Sequence, residues 1–305
     1  MPKRKHASIS QDALTSSSTV KLNSGYTMPL LGFGVWQIPE PQTAKAVTDA
    51  LKAGYRHIDT AIVYRNEAAC ASAVLAMSSS IPRSSIFFTT KIPTPSGISY
   101  DATKSHIASS LAATNLTCID LVLLHGPAGG SSNRKGAWKA LVEAVNDGAV
   151  RSIGVSNYGI HHLNQLEEHI QELEAEKPGS GGVLSVGQWQ VHPWCERREI
   201  TEWCRKRGVV VQAYSPLARG TRWKDKMLKE MMAKYKKTGA QVLLRWSLQK
   251  GYVPIVKSKT AKRIKENMGV WDWEMEEEDV ARLETGEYKP LYWDPTKSGL
   301  EDLVP

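Results

Sequence analysis

The stretch GYRHIDTAIVYRNE, at residues 54–67, contains a short apolar run that ends in Asp59 and is followed five residues later by Tyr64. Two further polar residues, Lys91 and His125, lie where other apolar runs end. An aspartate can hold and charge-balance a lysine, and an ammonium beside a tyrosine favours the phenolate and lowers the phenol pKa from about 10. Tyr64 would then act as a general acid toward a developing alkoxide, and His125 would donate a hydrogen bond to the same oxygen. This combination suits the reduction of a carbonyl group.

Each of these residues alone also has a purely structural interpretation. Asp59 in the sequence DTA can cap a helix, because short polar side chains are favoured at helix N-termini. His125 before Gly-Pro can pack in a turn, and Lys91 can lie at an exposed rim. Four such groups at the ends of separate apolar runs are an improbable coincidence, so we interpret them together as one catalytic site.

Alternating strand-like and helix-like segments must position these groups. After a predicted β-hairpin over residues 20–34, with its turn at residues 23–25, eight strand-then-helix units follow along the chain. Eight such units favour a (β/α)8 TIM barrel over an open doubly wound sheet, which typically has about six strands and a glycine-rich first turn. The GFGVW segment at residues 32–36 does not change this, because it lacks the third glycine and the acidic ribose partner of a dinucleotide fingerprint.

The barrel prediction also divides the chain. We expect residues 1–18 to be a disordered tail and residues 19–305 to form a single barrel domain. The last segment, KPLYWDPTKSGLEDLVP, has the proline and glycine content of a loop, and we expect it to fold over the barrel mouth as a selective lid.

In a TIM barrel the catalytic groups lie at the carboxyl ends of the strands. The polar residues at the predicted strand ends should therefore surround one mouth. They are Asp59, Lys91, His125, Ser156, Asn157, Gln188, Tyr214, Ser215, Lys257 and Ser258.

The composition describes a folded protein with a moderate positive charge. Hydrophobic residues make up 41% and charged residues 23% of the 305 residues, values close to globular averages. The net charge is +8, from 39 basic and 31 acidic residues, but the basic residues are interleaved with acidic ones. This pattern favours an anionic small molecule over nucleic acid as a ligand.

Other sequence features narrow the class of protein. The four cysteines show neither CxxC nor CxxH spacing, so no metal site is predicted. No stretch approaches the about 18 consecutive apolar residues of a membrane span, and no apolar segment follows the basic start MPKRKH. We therefore expect a cytoplasmic protein without a membrane partner. The PKRKH run is compatible with nuclear import, although short basic runs in polar tails are more often only solvated.

The motifs at the strand ends resemble, in order, those of the aldo-keto reductase superfamily across almost the whole predicted domain. They are GYRHIDTAIVYRNE, TKI, DLVLLHGP, GVSNY, QWQVHP, QAYSPLARG and VPIVKSKTAKRIKEN. The resemblance implies a catalytic tetrad of Asp59, Tyr64, Lys91 and His125. It implies hydride transfer from a nicotinamide to an aldehyde or ketone, with Tyr64 supplying the proton and no metal taking part.

The resemblance also implies an NADPH site. Ser156, Asn157 and Gln188 would hold the nicotinamide carboxamide, and Tyr214 would stack on the nicotinamide ring. The other implied cofactor contacts are Ser215, Leu217, Lys257, Ser258, Arg263, Glu266 and Asn267.

Part of the cofactor site can be argued from the residues themselves. Lys257, Ser258 and Arg263 bring two cations and a hydroxyl to the junction of a strand and a helix N-terminus. Charge-assisted hydrogen bonds and the helix dipole make such a junction a good phosphate site. The 2′-phosphate would bind there, so NADPH is favoured over NADH, with Glu266 and Asn267 near the adenine. A basic, solvated helix start is the alternative interpretation.

Two glycines depart from the family pattern. Gly126 stands where the family commonly has tryptophan after the catalytic histidine, which would widen the substrate pocket. Gly187 stands where asparagine often precedes the amide-binding glutamine, which would remove one carboxamide neighbour. Trp36 is expected to line the pocket, and the tail aromatics Tyr292 and Trp293 are expected either to join it or to serve in packing.

The preferred function is the NADPH-dependent reduction of a small carbonyl compound by a monomer. A second hypothesis is a redox-sensing regulatory subunit that binds NADPH and turns over slowly, because a fold does not fix a function. A third is a Schiff-base aldolase that uses Lys91 as the nucleophile. This last hypothesis leaves the phosphate-binding residues without a ligand, and Asp59 would keep Lys91 protonated, which is the wrong state for attack.

Overall fold

Eight short parallel strands close into a barrel. Their spatial order follows the chain, and the last strand pairs with both the strand before it and the first strand of the barrel. The coordinates are a computed structural model and describe residues 14–94 and 98–301. The barrel strands are β3 (Gly32–Gly34), β4 (His57–Asp59), β5 (Phe87–Ile92), β6 (Ile119–Leu124), β7 (Val150–Ser156), β8 (Leu184–Gln190), β9 (Val210–Tyr214) and β10 (Val253–Val256).

Helices separate successive strands and surround the barrel. One helix follows each strand from β3 to β8, and two helices follow each of β9 and β10. The helices are α1 (Glu40–Ala53), α2 (Glu67–Ala76), α3 (Tyr100–Thr114), α4 (Gly130–Asn146), α5 (Ile160–Glu176), α6 (Arg198–Arg207), α7 (Lys226–Tyr235), α8 (Gly239–Gln249), α9 (Ala261–Asn267) and α10 (Glu277–Arg282). The predicted (β/α)8 barrel is confirmed, and among these helices none is long and apolar enough to cross a membrane.

The predicted N-terminal hairpin is also present. It pairs β1 (Thr19–Lys21) with β2 (Thr27–Pro29) in antiparallel register, and its turn includes Gly25 at a φ of 95°. The Asn23 amide donates to the carbonyl of Leu184 at the start of β8, with a distance of 2.8 Å. The hairpin therefore contacts the amino ends of the barrel strands and leaves their carboxyl ends open.

Strand burial explains the continuous apolar runs. In β6 the four residues from Leu121 to Leu124 are fully buried. Parallel strands covered by helices bury both faces, so their side chains do not alternate between apolar and polar. Each such side chain contributes about 1.5–3 kcal/mol to stability through burial.

The first helix shows how a loop aligns a catalytic strand. α1 buries Val47, Ala50 and Leu51, and it ends at Gly54, whose φ of 109° lies in the left-handed region that favours glycine. The Gly54 N–H bonds back to carbonyls of the last turn of the helix. The chain then enters β4 within three residues, which brings Asp59 to the carboxyl end of that strand.

The predicted strand ends lie within about two residues of the observed ends, as is usual for element boundaries. β8 continues past Gln188 to Gln190, and β5 continues past Lys91 to Ile92. Of the predicted tail, residues 1–13 lie outside the described residues. Residues 14–18 form a tight turn in which the Ser18 N–H bonds to the Thr15 carbonyl over 3.0 Å.

Candidate active site

A cavity of about 930 Å³ lies at the carboxyl ends of the barrel strands. It brings together nearly all of the residues predicted from the sequence. The predicted residues that line it are Trp36, Asp59, Tyr64, His125, Ser156, Asn157, Gln188, Tyr214, Ser215, Leu217, Lys257, Ser258, Arg263, Glu266 and Asn267. Lys91 lies behind Asp59 and is fully buried.

A buried ion pair forms the base of the site. Lys91 Nζ lies 2.7 Å from Asp59 Oδ1 and donates a second bond of 2.7 Å to the Thr60 carbonyl. Desolvation lowers the pKa of Lys91, and the Asp59 carboxylate opposes that shift. Removing one partner of a buried ion pair leaves an uncompensated charge, which costs about 3–5 kcal/mol.

Tyr64 is the last residue of a short 3-10 helix, Ile62–Tyr64, that follows β4. Its hydroxyl lies 3.5 Å from His125 Nε2, and Lys91 Nζ lies 5.1 Å from the centroid of its ring. The pKa of Tyr64 is raised well above its usual value, because removal from water disfavours the phenolate and the charge of Asp59 adds to this. The sequence predicts a lowered pKa for Tyr64, and this is wrong for the free protein, because desolvation outweighs any effect of the Lys91 charge. Tyr64 keeps its proton, the state that a proton donor requires.

His125 directly follows β6. Its backbone N–H bonds to the Ile92 carbonyl over 3.1 Å, and its own carbonyl accepts a bond of 2.9 Å from Asn157 Nδ2. Desolvation, followed by the charge of Lys91, lowers the pKa of His125 to about 3. The imidazole is therefore neutral near pH 7 and carries one N–H donor.

The residues predicted to hold a carboxamide form a connected set. Asn157 has a φ of 64° and accepts a bond of 2.8 Å from the Tyr214 hydroxyl. The Ser156 hydroxyl donates to the Gln188 carbonyl over 2.9 Å. Gln188 Nε2 donates to Asp59 Oδ2 over 2.8 Å, so one side chain connects this set with the buried ion pair.

A cluster of cations lines the other end of the cavity. The pKa of Lys257 is lowered, first by desolvation and then by the positive charges of Lys259, Arg219 and Arg263. Positive side chains that lie close together raise the local electrostatic potential, so they are suited to bind a ligand with several negative charges. This donor set fits the phosphates of a dinucleotide. Sequence reasoning had included Lys257 and Arg263 but had missed Lys259 and Arg219.

Arg219 connects three segments across the mouth. Its Nη2 donates to Gln37 Oε1 over 3.0 Å, and its guanidinium lies 4.8 Å from the ring of Trp36 and 5.8 Å from the ring of Tyr292. The loop after β9, the loop after β3 and the C-terminal segment therefore meet at one side chain. Its place within the QAYSPLARG motif was the sequence feature that could have identified it.

The C-terminal segment reaches the mouth as predicted, since Tyr292, Trp293 and Pro295 line the cavity. Its main anchor is the buried Arg197, whose guanidinium pairs with both carboxylate oxygens of Asp294 at 2.9 and 3.2 Å. The same guanidinium also bonds to the Gln190 carbonyl at the end of β8.

A second anchor lies further along the segment. His161 Nε2 is 2.6 Å from the Ser298 carbonyl, and His162 Nε2 is 3.1 Å from the Gly299 carbonyl. Both histidines lie at the start of α5, where a polar side chain can cap the helix. His162 does cap α5, because its Nδ1 accepts from the Gly159 N–H, but both rings also hold the C-terminal segment.

Gly126 and Gly187, the two glycines that depart from the family pattern, lie in different surroundings. Gly126 is buried, with a hypothetical Cβ 3.0 Å from Thr94 Oγ1, and it is not among the residues that line the cavity in the described part of the chain. Its effect on the pocket stays a prediction. At Gly187 a Cβ would approach the Trp189 ring to 2.0 Å. Gly187 thus makes room for Trp189 on the strand face opposite Gln188, because successive side chains alternate.

A family model described as the aldo/keto reductase family matches residues 30–286. The chain therefore belongs to the aldo-keto reductase family, as the motifs predicted. It is an oxidoreductase that acts on carbonyl groups and uses a nicotinamide cofactor.

Named relatives support this assignment. The chain is 33% identical over 291 residues to the methylglyoxal reductase DkgA of Escherichia coli, covering 94% of this chain and 100% of that protein. It is 36% identical over 267 residues to a glyoxal reductase of Bacillus subtilis, covering 87% and 91% of the two chains. A crystal structure of an aldo/keto reductase from Brucella melitensis superposes with a TM-score of 0.79 at 37% identity, covering 87% of this chain and 98% of that one.

Proposed function

We propose that the protein reduces aldehydes or ketones with NADPH and that Tyr64 is the proton donor. The observation that carries this proposal is the position of the Tyr64 hydroxyl, 3.5 Å from the neutral His125 and beside the buried Lys91–Asp59 pair. The raised pKa keeps the proton on Tyr64 until it is needed. A protonated phenol and an imidazole N–H can both donate to one substrate oxygen.

Each residue of the tetrad has a separate task. As negative charge develops on the substrate oxygen, Tyr64 transfers its hydroxyl proton to that oxygen, and His125 stabilises the charge by donating a hydrogen bond. Lys91 supplies a positive charge near the phenolate that remains, which lowers the cost of the transfer. Asp59 holds the Lys91 ammonium in place through their 2.7 Å contact.

NADPH, when bound, supplies the hydride. The cation cluster of Lys257, Lys259, Arg219 and Arg263 supports a phosphorylated cofactor, because a 2′-phosphate adds charge that these side chains can neutralise. Ser156, Asn157 and Gln188 are suited to hold the carboxamide, since their side chains combine donors and acceptors at the other end of the cavity.

The names of the relatives indicate which substrates to test first. Two of them are a methylglyoxal reductase and a glyoxal reductase. We propose small 2-oxoaldehydes as substrates of this protein too.

The test is a Tyr64→Phe variant assayed by the loss of NADPH absorbance with methylglyoxal, with an aromatic ketone, and with NADH in place of NADPH. We expect the variant to lose about 10²–10⁴ in kcat, the usual contribution of a general acid, while NADPH still quenches its tryptophan fluorescence. Tyr26→Phe is the matched control, because Tyr26 lies exposed on the N-terminal hairpin. A Tyr64→Phe enzyme as active as Tyr26→Phe would refute the assignment of the proton donor.

A further inference from the structure

Gln212 is a buried polar residue in the middle of β9 that the assigned site does not include. Its side chain is fully buried at the barrel interior. A buried carboxamide needs partners for both its oxygen and its nitrogen. Gln212 Oε1 accepts a bond of 2.7 Å from Gln188 Nε2, and Gln212 Nε2 donates to Met28 Sδ over 3.2 Å.

The contact with Asp59 identifies which atom of the Gln188 amide faces the carboxylate. An ionised carboxylate only accepts hydrogen bonds, so the Gln188 atom at 2.8 Å from Asp59 Oδ2 is the amide nitrogen. The second hydrogen on that nitrogen goes to Gln212 Oε1. With both hydrogens used inside the protein, a ligand in the cavity can bond to the Gln188 side chain only through Oε1.

Gln212 is itself held in one orientation. Its nitrogen also lies 3.5 Å from His57 Nε2, which in turn lies 3.1 Å from the Thr89 hydroxyl. Met28, at 3.2 Å, belongs to the N-terminal hairpin. An ordered chain of polar contacts therefore runs from the base of the barrel through Gln212 and Gln188 to Asp59.

We propose that Gln212 is a positioning residue for the cofactor. By accepting the second hydrogen of Gln188 Nε2, it fixes the Gln188 carboxamide so that Oε1 accepts from the amide N–H of a bound nicotinamide. The same bond keeps Nε2 on Asp59, so the nicotinamide and the buried ion pair share one side chain. This inference rests on the proposed NADPH binding and deepens it.

The experiment compares the binding of two cofactors by isothermal titration calorimetry. NADP⁺ carries a carboxamide, and its 3-acetylpyridine analogue lacks the N–H donor that Gln188 Oε1 would accept. Wild-type protein is expected to bind the analogue about tenfold more weakly, the usual effect of one lost hydrogen bond between partners of this kind. Gln212→Met removes the acceptor but keeps the length of the side chain, so one Gln188 Nε2 hydrogen becomes free to donate to the carbonyl oxygen that both cofactors carry. The discrimination between the two cofactors should then largely disappear.

Adenosine 2′,5′-bisphosphate, which lacks the nicotinamide half, serves as the control ligand and should bind both proteins equally. Gln212→Glu keeps an oxygen acceptor and should retain the discrimination, and it also provides the test if the methionine variant does not fold. The proposal is overturned if wild type binds both cofactors equally, or if Gln212→Met still discriminates. It is also overturned if all three ligands weaken together. Wild type that binds NADP⁺ selectively but reduces no carbonyl would instead contradict the proposed function alone.

Discussion

The Thr60 hydroxyl donates a hydrogen bond of 2.7 Å to Asn66 Oδ1, and this bond closes the loop that carries Tyr64. Asn66 Nδ2 in turn donates to the carbonyls of Val35 and Ile38, both over 3.2 Å. Those carbonyls flank Trp36, which lines the cavity. The Thr60 carbonyl accepts from Lys91. The buried carboxamide of Asn66 therefore connects three segments. They are the Thr60 backbone that binds Lys91, the loop that carries Tyr64 and the loop that carries Trp36.

Replacing the Thr60 hydroxyl should affect catalysis more than cofactor binding. Thr60→Val is nearly isosteric but removes the donor to Asn66, so we expect kcat to fall about tenfold or more through misplacement of Tyr64. Thr60→Ser keeps the donor and should stay close to wild type. Steady-state kinetics with methylglyoxal would measure kcat, and fluorescence quenching would confirm that the Kd for NADPH is unchanged. Equal kcat values for the two variants would argue against this role.

The sequence predicted the strands and helices, and most of the residues that line the barrel mouth, because both follow from the local pattern of apolar runs and the polar residues that end them. The apolar runs end at Asp59, Lys91 and His125, and parallel strands necessarily bring their carboxyl ends to one mouth. The residues proposed to bind the cofactor lie in motifs at the other strand ends.

The features that the sequence could not predict depend on how deeply a side chain is buried and on contacts between residues that are distant in the chain. The direction of the Tyr64 pKa shift is set by desolvation, which residue spacing does not reveal. His161 contacts the carbonyl of Ser298, 137 positions away, so nothing local marks it as an anchor. Gln212 lies inside a strand with no strand-end position to identify it, and the space that Gly187 leaves for Trp189 is visible only once the ring is placed.

Buried neutral histidines should make the fold sensitive to acid. Desolvation lowers the pKa of His57 to about 4 and that of His192 to about 3, below the usual value of about 6.5 for an unfolded histidine. The unfolded chain therefore binds more protons below that pH, so stability is full above it and falls as the pH decreases. Each histidine should cost about 2 kcal/mol between pH 7 and pH 5.

Urea unfolding at pH 7 and pH 5 would measure this loss of stability. A His192→Gln variant has one proton-binding site fewer and should lose less stability over the same interval. Identical pH dependence for wild type and His192→Gln would contradict the assignment.

The Arg197–Asp294 pair should control the size of substrate that the mouth accepts. Asp294→Asn weakens the bidentate contact, so the neighbouring Tyr292 and Trp293 should become more mobile at the rim. We expect the kcat/KM ratio of a bulky aromatic ketone to methylglyoxal to change about three- to tenfold, as one weakened charge-assisted bond implies. The exposed pair of Glu202 and Lys206 offers a matched control, Glu202→Gln. If the two variants show the same ratio as wild type, the segment is not a size filter.

Lys257 should set the preference for a phosphorylated cofactor. Lys257→Met removes one cation from the cluster that Lys257 forms with Lys259, Arg219 and Arg263. The variant should therefore bind NADPH about 10- to 100-fold more weakly, the usual cost of a hydrogen bond to a charged group. Its affinity for NADH should hardly change, because NADH carries no 2′-phosphate. Lys262→Met is the matched control, since Lys262 is an exposed cation of α9 that does not line the cavity. Fluorescence titrations would give the six dissociation constants, for three proteins and two cofactors, at low and at moderate salt. Raising the salt should weaken NADPH binding more in wild type than in Lys257→Met. A parallel loss of affinity for both cofactors would place the effect of Lys257 elsewhere than at the 2′-phosphate.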